Sequence, residues 1–382
     1  MVKKTAAVML LVLTISCLTG CWDYREINRL PIVVGMAVDM NEDKRHVVTA
    51  ELVDLIEGGK ESSIASKIIE TEGDTLFDAV RNAIKFETGR LYLGHMEVVI
   101  LGKQVLEKGL VEVLDFLIRD VEPRTNIWLL VSKEERAAEL LRSESVTTEI
   151  RTFEISQMIE GQADLSKSFK MTISEFMNLL QCPGYCPVLP CMRIINTAGI
   201  ETQAMSGTAI LKRGSLAGFL TEEETKYFCF ITDRVEGGIL VADSEPGKHV
   251  KDVSFEILEN KTKVKPVYSN GKISINVEIH VKTALGEHGP GRHKHHEGAA
   301  MHKKQAEELI KNKASALIKK MQTEYRADIF GFGNSIHMEY PKLWREIEQD
   351  WDEYFKDMEI YVNPTVEVTE SGLLQESIMM EE

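Results

Sequence analysis

Positive charge is in deficit along this 382-residue chain: 45 Lys and Arg stand against 60 Asp and Glu, a formal net charge of −15. That sign repels phosphate backbones, so nucleic acid is not an expected partner. Proline is scarce, at 10 residues, and no repeat or extended low-complexity tract appears. With 43% apolar residues the composition is globular, not disordered or fibrous. Beyond the first twenty residues no run of about 18 apolar residues occurs, so no membrane-spanning helix is expected in the body of the chain. Cysteine is sparse as well, six in all. A chain of this length holds two or three domains, each able to bury a core without disulfide staples.

Catalytic signatures are missing too. Ser206 lies in Met205-Ser206-Gly207, not in a G-x-S-x-G elbow. Gly331-Phe332-Gly333 lacks the third glycine of a dinucleotide loop and reads as a turn. Among 60 carboxylates, acidic pairs say little about acid/base chemistry. Five of the ten histidines crowd the tract from His288 to His302, where His293, His295 and His296 are weak metal candidates. Arg292 and Lys294 are interleaved and HExxH spacing is absent, so the tract is expected to be a solvated loop and not a metal site. Cys182, Cys186, Cys191 and Cys229 form no CxxC pair. Disulfides and buried free thiols are equally compatible with them; a bridge from Cys182 to Cys186 or Cys191 would staple an interdomain linker. Neither an enzyme nor a bound cofactor is expected.

What is present begins at the N-terminus. Lys3 and Lys4 precede an apolar stretch from Ala6 to Ile15, too short to span a bilayer, and Leu18-Thr19-Gly20-Cys21 closes it. This is the pattern of a bacterial lipobox. Residues 1–20 are then a signal peptide, and the Cys21 thiol carries a diacylglycerol, the one covalent group expected.

Along the body, Pro31 to Met40 and His46 to Leu55 read as a β-hairpin. Thr75 to Lys85 places Leu76, Val80, Ala83 and Ile84 on one helical side; Glu97 to Leu101 is a strand, Leu110 to Ile118 a helix, and Ile127 to Val131 a strand. Ser132 is expected to cap a helix over Lys133 to Leu141. Further helices are read near Thr148 to Ile159 and Thr172 to Leu180. Pro183, Pro187 and Pro190 break regular structure and suggest a boundary. Gly207 to Lys212 and Leu216 to Leu220 form a hairpin, and Thr221 with Glu224 is a capping box for a helix reaching Ile231. Asp252 to Leu258, Lys263 to Val267 and Lys272 to Val281 read as antiparallel strands, the last pair turning at Ser269-Asn270-Gly271. Ala300 to Tyr325 is an amphipathic helix, Tyr340 to Lys356 another, and Glu359 to Val368 an edge strand marked by Pro364. The expected architecture is a multi-domain mixed α/β fold, with mixed sheets covered by helices and the long helix packed on a sheet. Its units are the signal peptide 1–20, an N-terminal domain 21–185, a small middle domain 186–240 and a C-terminal domain 241–382.

Cys21-Trp22-Asp23-Tyr24-Arg25-Glu26-Ile27-Asn28 resembles the start of the mature C-subunit lipoproteins of spore nutrient-germinant receptors, the Ger(x)C family. Leu91-Tyr92-Leu93-Gly94-His95, then Leu114-Asp115-Phe116 with Arg119-Asp120, then Asp328-Ile329-Phe330-Gly331-Phe332-Gly333 with Pro341 and Trp344, are similar to the family pattern in the same order. The resemblance implies an accessory or coupling subunit anchored on the outer face of the spore inner membrane, beside integral-membrane A and B subunits. Trp22, Asp23, Arg25 and Glu26 would then lie next to the membrane, where Trp is favoured. His95 is expected to be a hydrogen-bonded structural residue. Two other classes fit an exported lipoprotein: a solute-binding protein with a polar-lined cleft, or an envelope hydrolase.

Overall fold

The computed structural model describes residues 30–56, 63–144, 149–243, 251–288 and 295–369, together with Thr5 and Met9. The lipobox and the Trp22–Glu26 motif lie outside the described residues.

Strands β1 (Val33–Met40), β2 (His46–Ile56) and β3 (Ser63–Gly73) form an antiparallel meander. Helix α1 (Leu76–Asn82) follows, extended by a 3₁₀ turn to Lys85. Then come β4 (Val98–Leu101), α2 (Lys103–Lys108), α3 (Leu110–Arg119), β5 (Trp128–Ser132), α4 (Ala138–Arg142), α5 (Arg151–Glu160) and α6 (Ile173–Leu180). Strands β6 (Val188–Thr197), β7 (Ile200–Lys212) and β8 (Ser215–Leu220) complete one eight-stranded sheet in the order β3-β2-β1-β4-β5-β6-β7-β8. Its middle, β1, β4, β5 and β6, is parallel. Successive side chains of a strand point to opposite faces, and both faces here are apolar, which is why β4 reads as an unbroken run. Val99 and Leu101 pack with α1 and α3, whereas Val98 and Ile100 meet Leu140, Leu141, Ile155 and Ile159 of α4 and α5.

The capping box at Thr221 and Glu224 opens α7 (Glu222–Ile231) as expected. Strands β9 (Ile239–Asp243), β10 (Lys251–Ser269) and β11 (Lys272–His288) build a second sheet, over which α8 (His295–Lys320) lies. Helices α9 (Phe332–Glu339), α10 (Pro341–Ile347) and α11 (Trp351–Asp357) lead to β12 (Glu359–Thr369), giving the order β12-β11-β10-β9. Ala306, Ile310, Ala314 and Leu317 of α8 join Ile275, Val277, Val362 and Val366 in the core. The mixed α+β class, and the long helix on a sheet, are as the sequence predicts. Pro364 sits in an edge strand, also as expected.

Several local readings are corrected. The helix predicted from Lys133 begins at Ala138. The Ser132 hydroxyl accepts the Glu134 N–H at 3.1 Å in a turn, and the Glu134 carboxylate turns away to accept the Ile194 N–H at 2.7 Å. Pro190 lies inside β6, where a register shift before Met192 absorbs the missing donor. Residues 251–269 form one strand, because a bulge at Leu258 lets the ladder continue. Strands β3 and β9 were not anticipated. Ile84, expected on the buried side of its helix, is 49% exposed because the last turn tightens to 3₁₀ and rotates it outward. The predicted helix 340–356 is divided by a 3₁₀ turn at Glu348–Asp350. β11 runs to His288 and α8 starts at His295, and residues 289–294 of the expected histidine loop lie outside the described residues. No break in the first sheet falls after residue 185; β6, β7 and β8 extend it.

Candidate functional site

A groove of about 640 Å³ runs between α1 and α3 on one face of the first sheet. Thr75 starts α1 by accepting the Asp78 N–H, and Leu76, Ala79 and Val80 face the core. In α3 the core side is Leu110, Val113, Leu114 and Leu117. This periodicity leaves Phe77 half-exposed and Val111 74% exposed. Phe77 leans on Phe116 across the groove, ring centroids 6.1 Å apart, and the Arg81 guanidinium lies 4.9 Å over the Phe77 ring. Deeper in the groove is His46 of β2, almost fully buried, with Nε2 3.2 Å from the Glu112 carboxylate. That approach is within ion-pair reach but misaligned for hydrogen bonding, and neither ring nitrogen has a hydrogen-bond partner.

Charges around the groove are largely matched. Arg119 pairs with Asp115 at 2.6 Å, Arg45 with Asp74 at 3.0 Å, and Arg90 with Glu122 at 3.2 Å and Asp120 at 3.7 Å. Exposed pairs of this kind contribute little stability, roughly 0–1 kcal/mol each, but they set the potential of the surface. The groove is thus an apolar, aromatic-walled recess with a balanced charged rim, suited to recognition.

The motif residues divide between two places. Asp115, Phe116, Arg119 and Asp120 line the groove, whereas Leu91 to His95 follows Arg90 of its lining and pairs through Tyr92 with Ile32. His95 is exposed and meets the Tyr92 ring edge-on at 5.8 Å, and its ring makes no hydrogen bond among the described residues, where one was expected. Asp328 to Gly333 forms a buried joint and opens α9, so the expected simple turn is also corrected. The Asp328 carboxylate accepts N–H groups of Phe330 and Gly331, both at 3.0 Å, and of Gly333 at 2.8 Å. Gly331 takes φ +81°, a conformation costly for other residues. The Cys186 N–H bonds the Asp328 carbonyl at 2.8 Å, and Trp351 Nε1 donates to the Gly184 carbonyl at 2.9 Å, fastening the segment before β6 to the C-terminal helices.

Cys182, Cys186, Cys191 and Cys229 are free thiols in the structure. Cys191 is buried in the core on β6, and Cys229 lies buried on α7 with its thiol against the Ser168 carbonyl. Burial pushes Cys186, Cys191 and Cys229 each up to about 12. His293 and the side chains of His295 and His296 lie outside the described residues.

Two family models match the chain in tandem. "Spore germination protein N-terminal domain" covers residues 23–194, and "Spore germination B3/GerAC like, C-terminal" covers residues 206–372. The chain belongs to the Ger(x)C family of germinant-receptor C subunits. The junction between the two matched regions spans the β6–β7 hairpin, inside the first sheet. Among relatives, spore germination protein KC of Bacillus subtilis (strain 168) is 25% identical, covering 98% of this chain and 97% of its own length. Spore germination protein B3 of the same organism is 24% identical, covering 97% and 99%. Spore germination protein A3, again of that organism, is 25% identical, covering 93% and 95%. The crystal structure of the GerBC protein shares the fold at a TM-score of 0.55, with 22% identity over 91% of this chain and 99% of that one. The Ger(x)C family acts in spore germination. No helix among the described residues is long and apolar enough to cross a membrane.

Proposed function

We propose that this chain is a lipid-anchored accessory or coupling subunit of a nutrient-germinant receptor. In this reading acylated Cys21 holds it to the outer face of the spore inner membrane, and it acts by docking external segments of the integral-membrane A and B subunits. The observation that carries the docking is the α1–α3 groove, whose apolar residues Phe77 and Val121 stay exposed although most of its charges are paired. Exposed aromatic surface bordered by polar groups is the composition of a protein contact. The lipobox supports the anchor. The test is nutrient germination of spores lacking this gene, complemented with the wild-type chain, with Cys21→Ala or with Phe77→Ser. Restoration by wild type alone supports the anchor and the groove; unimpaired germination of the null with every nutrient would sink the reading.

A second reading is favoured by His46. A buried imidazole with no hydrogen bond to either nitrogen and a carboxylate 3.2 Å from Nε2, lining a groove of about 640 Å³, is a feature of small-molecule sites. Binding of a nutrient there raises the melting temperature with the logarithm of ligand excess, and His46→Phe abolishes that shift.

A further inference from the structure

The end of the first sheet at which β1, β4 and β5 begin carries apolar side chains that the rest of the described chain leaves uncovered. Helix α1 descends from Gly73 toward this end, and Phe86, just past it, is 56% exposed. The adjacent Glu87 pairs with Lys67, which is in register with Leu52 and, through it, with Val33, the first residue of β1. Helix α3 reaches the same level. Arg90 pairs with Asp120 and Glu122 there, and the Glu122 carboxylate accepts the Leu93 N–H at 3.3 Å. Ile118 is half-exposed and Val121 is 95% exposed. Phe86, Ile118 and Val121 therefore share one end of the molecule.

The chain enters the fold at that same end. The Tyr92 N–H bonds the Pro31 carbonyl at 2.9 Å and the Val33 N–H bonds the Tyr92 carbonyl at 3.0 Å, so Leu30 and Pro31 lie beside the loop that carries His95. Only eight residues separate Leu30 from Cys21. Fully extended, they reach at most about 30 Å. A lipid on Cys21 thus tethers this end within about 30 Å of the bilayer. The local charge fits as well. Glu87, Asp115, Asp120 and Glu122 are each paired with a cation, while the exposed Lys85 and Arg124 have no partner among the described residues. Glu97, just before β4, is likewise without an ion pair among the described residues, so two free cations face one free carboxylate at this end of a chain whose overall charge is strongly negative.

We infer that the β1–β4–β5 end rests on the lipid surface, with Phe86, Ile118 and Val121 entering the interfacial layer and Lys85 and Arg124 facing lipid phosphates. Amphipathic contacts of this size are weak alone and act with a covalent chain, so the inference rests on the acylation of Cys21 proposed above. Its effect is to fix orientation: the α1–α3 groove stands upright from the bilayer, its lower mouth at the headgroups.

The experiment uses the acylated full chain in vesicles of phosphatidylcholine and phosphatidylglycerol, part of the phosphatidylcholine being brominated. Val121→Trp is compared with Ile200→Trp, on the distant β6–β7 hairpin, and with the parent chain. The expected result is at least a twofold greater quenching increment at position 121 than at 200, reduced by Lys85→Glu with Arg124→Glu. Equal increments, with the chain still floating on the vesicles, overturn the inference alone. A chain that does not float overturns the anchor reading and the inference with it. Shielding of position 121 that requires co-reconstituted membrane subunits also overturns it, in favour of a protein contact.

Discussion

The Asp39 carboxylate at the end of β1 accepts the backbone N–H of Ala137 at 2.7 Å, across 98 positions of sequence, and that of Ala138 at 3.1 Å. It thereby caps α4 from a neighbouring strand, a task the helix's own preceding residue, Ala137, cannot perform. Gly102 makes room for it: a Cβ there would lie 2.3 Å from Asp39 Oδ1. Asp39→Ala strands two buried donors and is expected to cost about 2 kcal/mol. Asp39→Asn, which keeps one acceptor, should cost less. Urea unfolding of the two variants measures both; equal stability of wild type and Asp39→Ala would refute the cap.

Burial pushes the Asp328 carboxyl up to about 6 from its ordinary 3.8, although backbone N–H groups that bond it pull the other way. The folded chain therefore holds a proton that the unfolded chain releases between these values. The stability this provides is complete below about pH 4 and is lost as pH rises through 6. Between pH 5 and pH 7, wild type should lose stability relative to Asp328→Asn, which has no proton to release. Parallel stability curves across that interval would contradict this.

Gly35 in β1 faces Thr152, which with Arg151 bonds the buried Glu51 carboxylate at the start of α5. A Cβ at position 35 would stand 2.0 Å from the Thr152 hydroxyl oxygen. Gly35→Ala is expected to cost about 2–3 kcal/mol by overpacking. Thr152→Ala removes the clashing oxygen together with its bond to Glu51, so the double variant should be destabilised by less than the sum of the two. A double-mutant cycle reads that coupling, and strict additivity would rule the contact out.

Thiol chemistry separates the cysteines. Cys182 should react with an aromatic disulfide reagent at pH 8, while the buried Cys191 and Cys229 stay silent until denaturant is added. Reduction should leave the intact mass unchanged. A mass gain of two hydrogens would reveal a bridge.

Phe77→Ser removes exposed apolar surface, so melting should change by no more than the equivalent of about 0.5 kcal/mol. Germination should nevertheless slow markedly if the groove is a contact. Normal germination with normal melting would discard it.

Much of this fold is legible in the chain. β4 and β5 are short apolar runs between polar segments, and Thr221 with Glu224 announces α7 locally. β3 is not legible, because Ser63–Gly73 is an edge strand of mixed polarity in which Ile64 points to solvent and Ile69 inward. The start of α4 is hidden for a different reason: its cap, Asp39, belongs to another strand. The groove escapes sequence reading because its walls come from positions between 46 and 121, and because Phe77 looks like an interruption of a helical pattern. Asp115, Phe116, Arg119 and Asp120 were singled out by resemblance, but only the packing of α3 against α1 gives them a common place.

Pro364, midway along β12, leaves the outer edge of the second sheet one hydrogen-bond donor short. A strand from another copy that tried to zip onto that edge would meet a gap in the ladder at its centre. Crowded copies of this protein therefore find a poor template for edge-to-edge growth there, and the sheet ends where β12 ends.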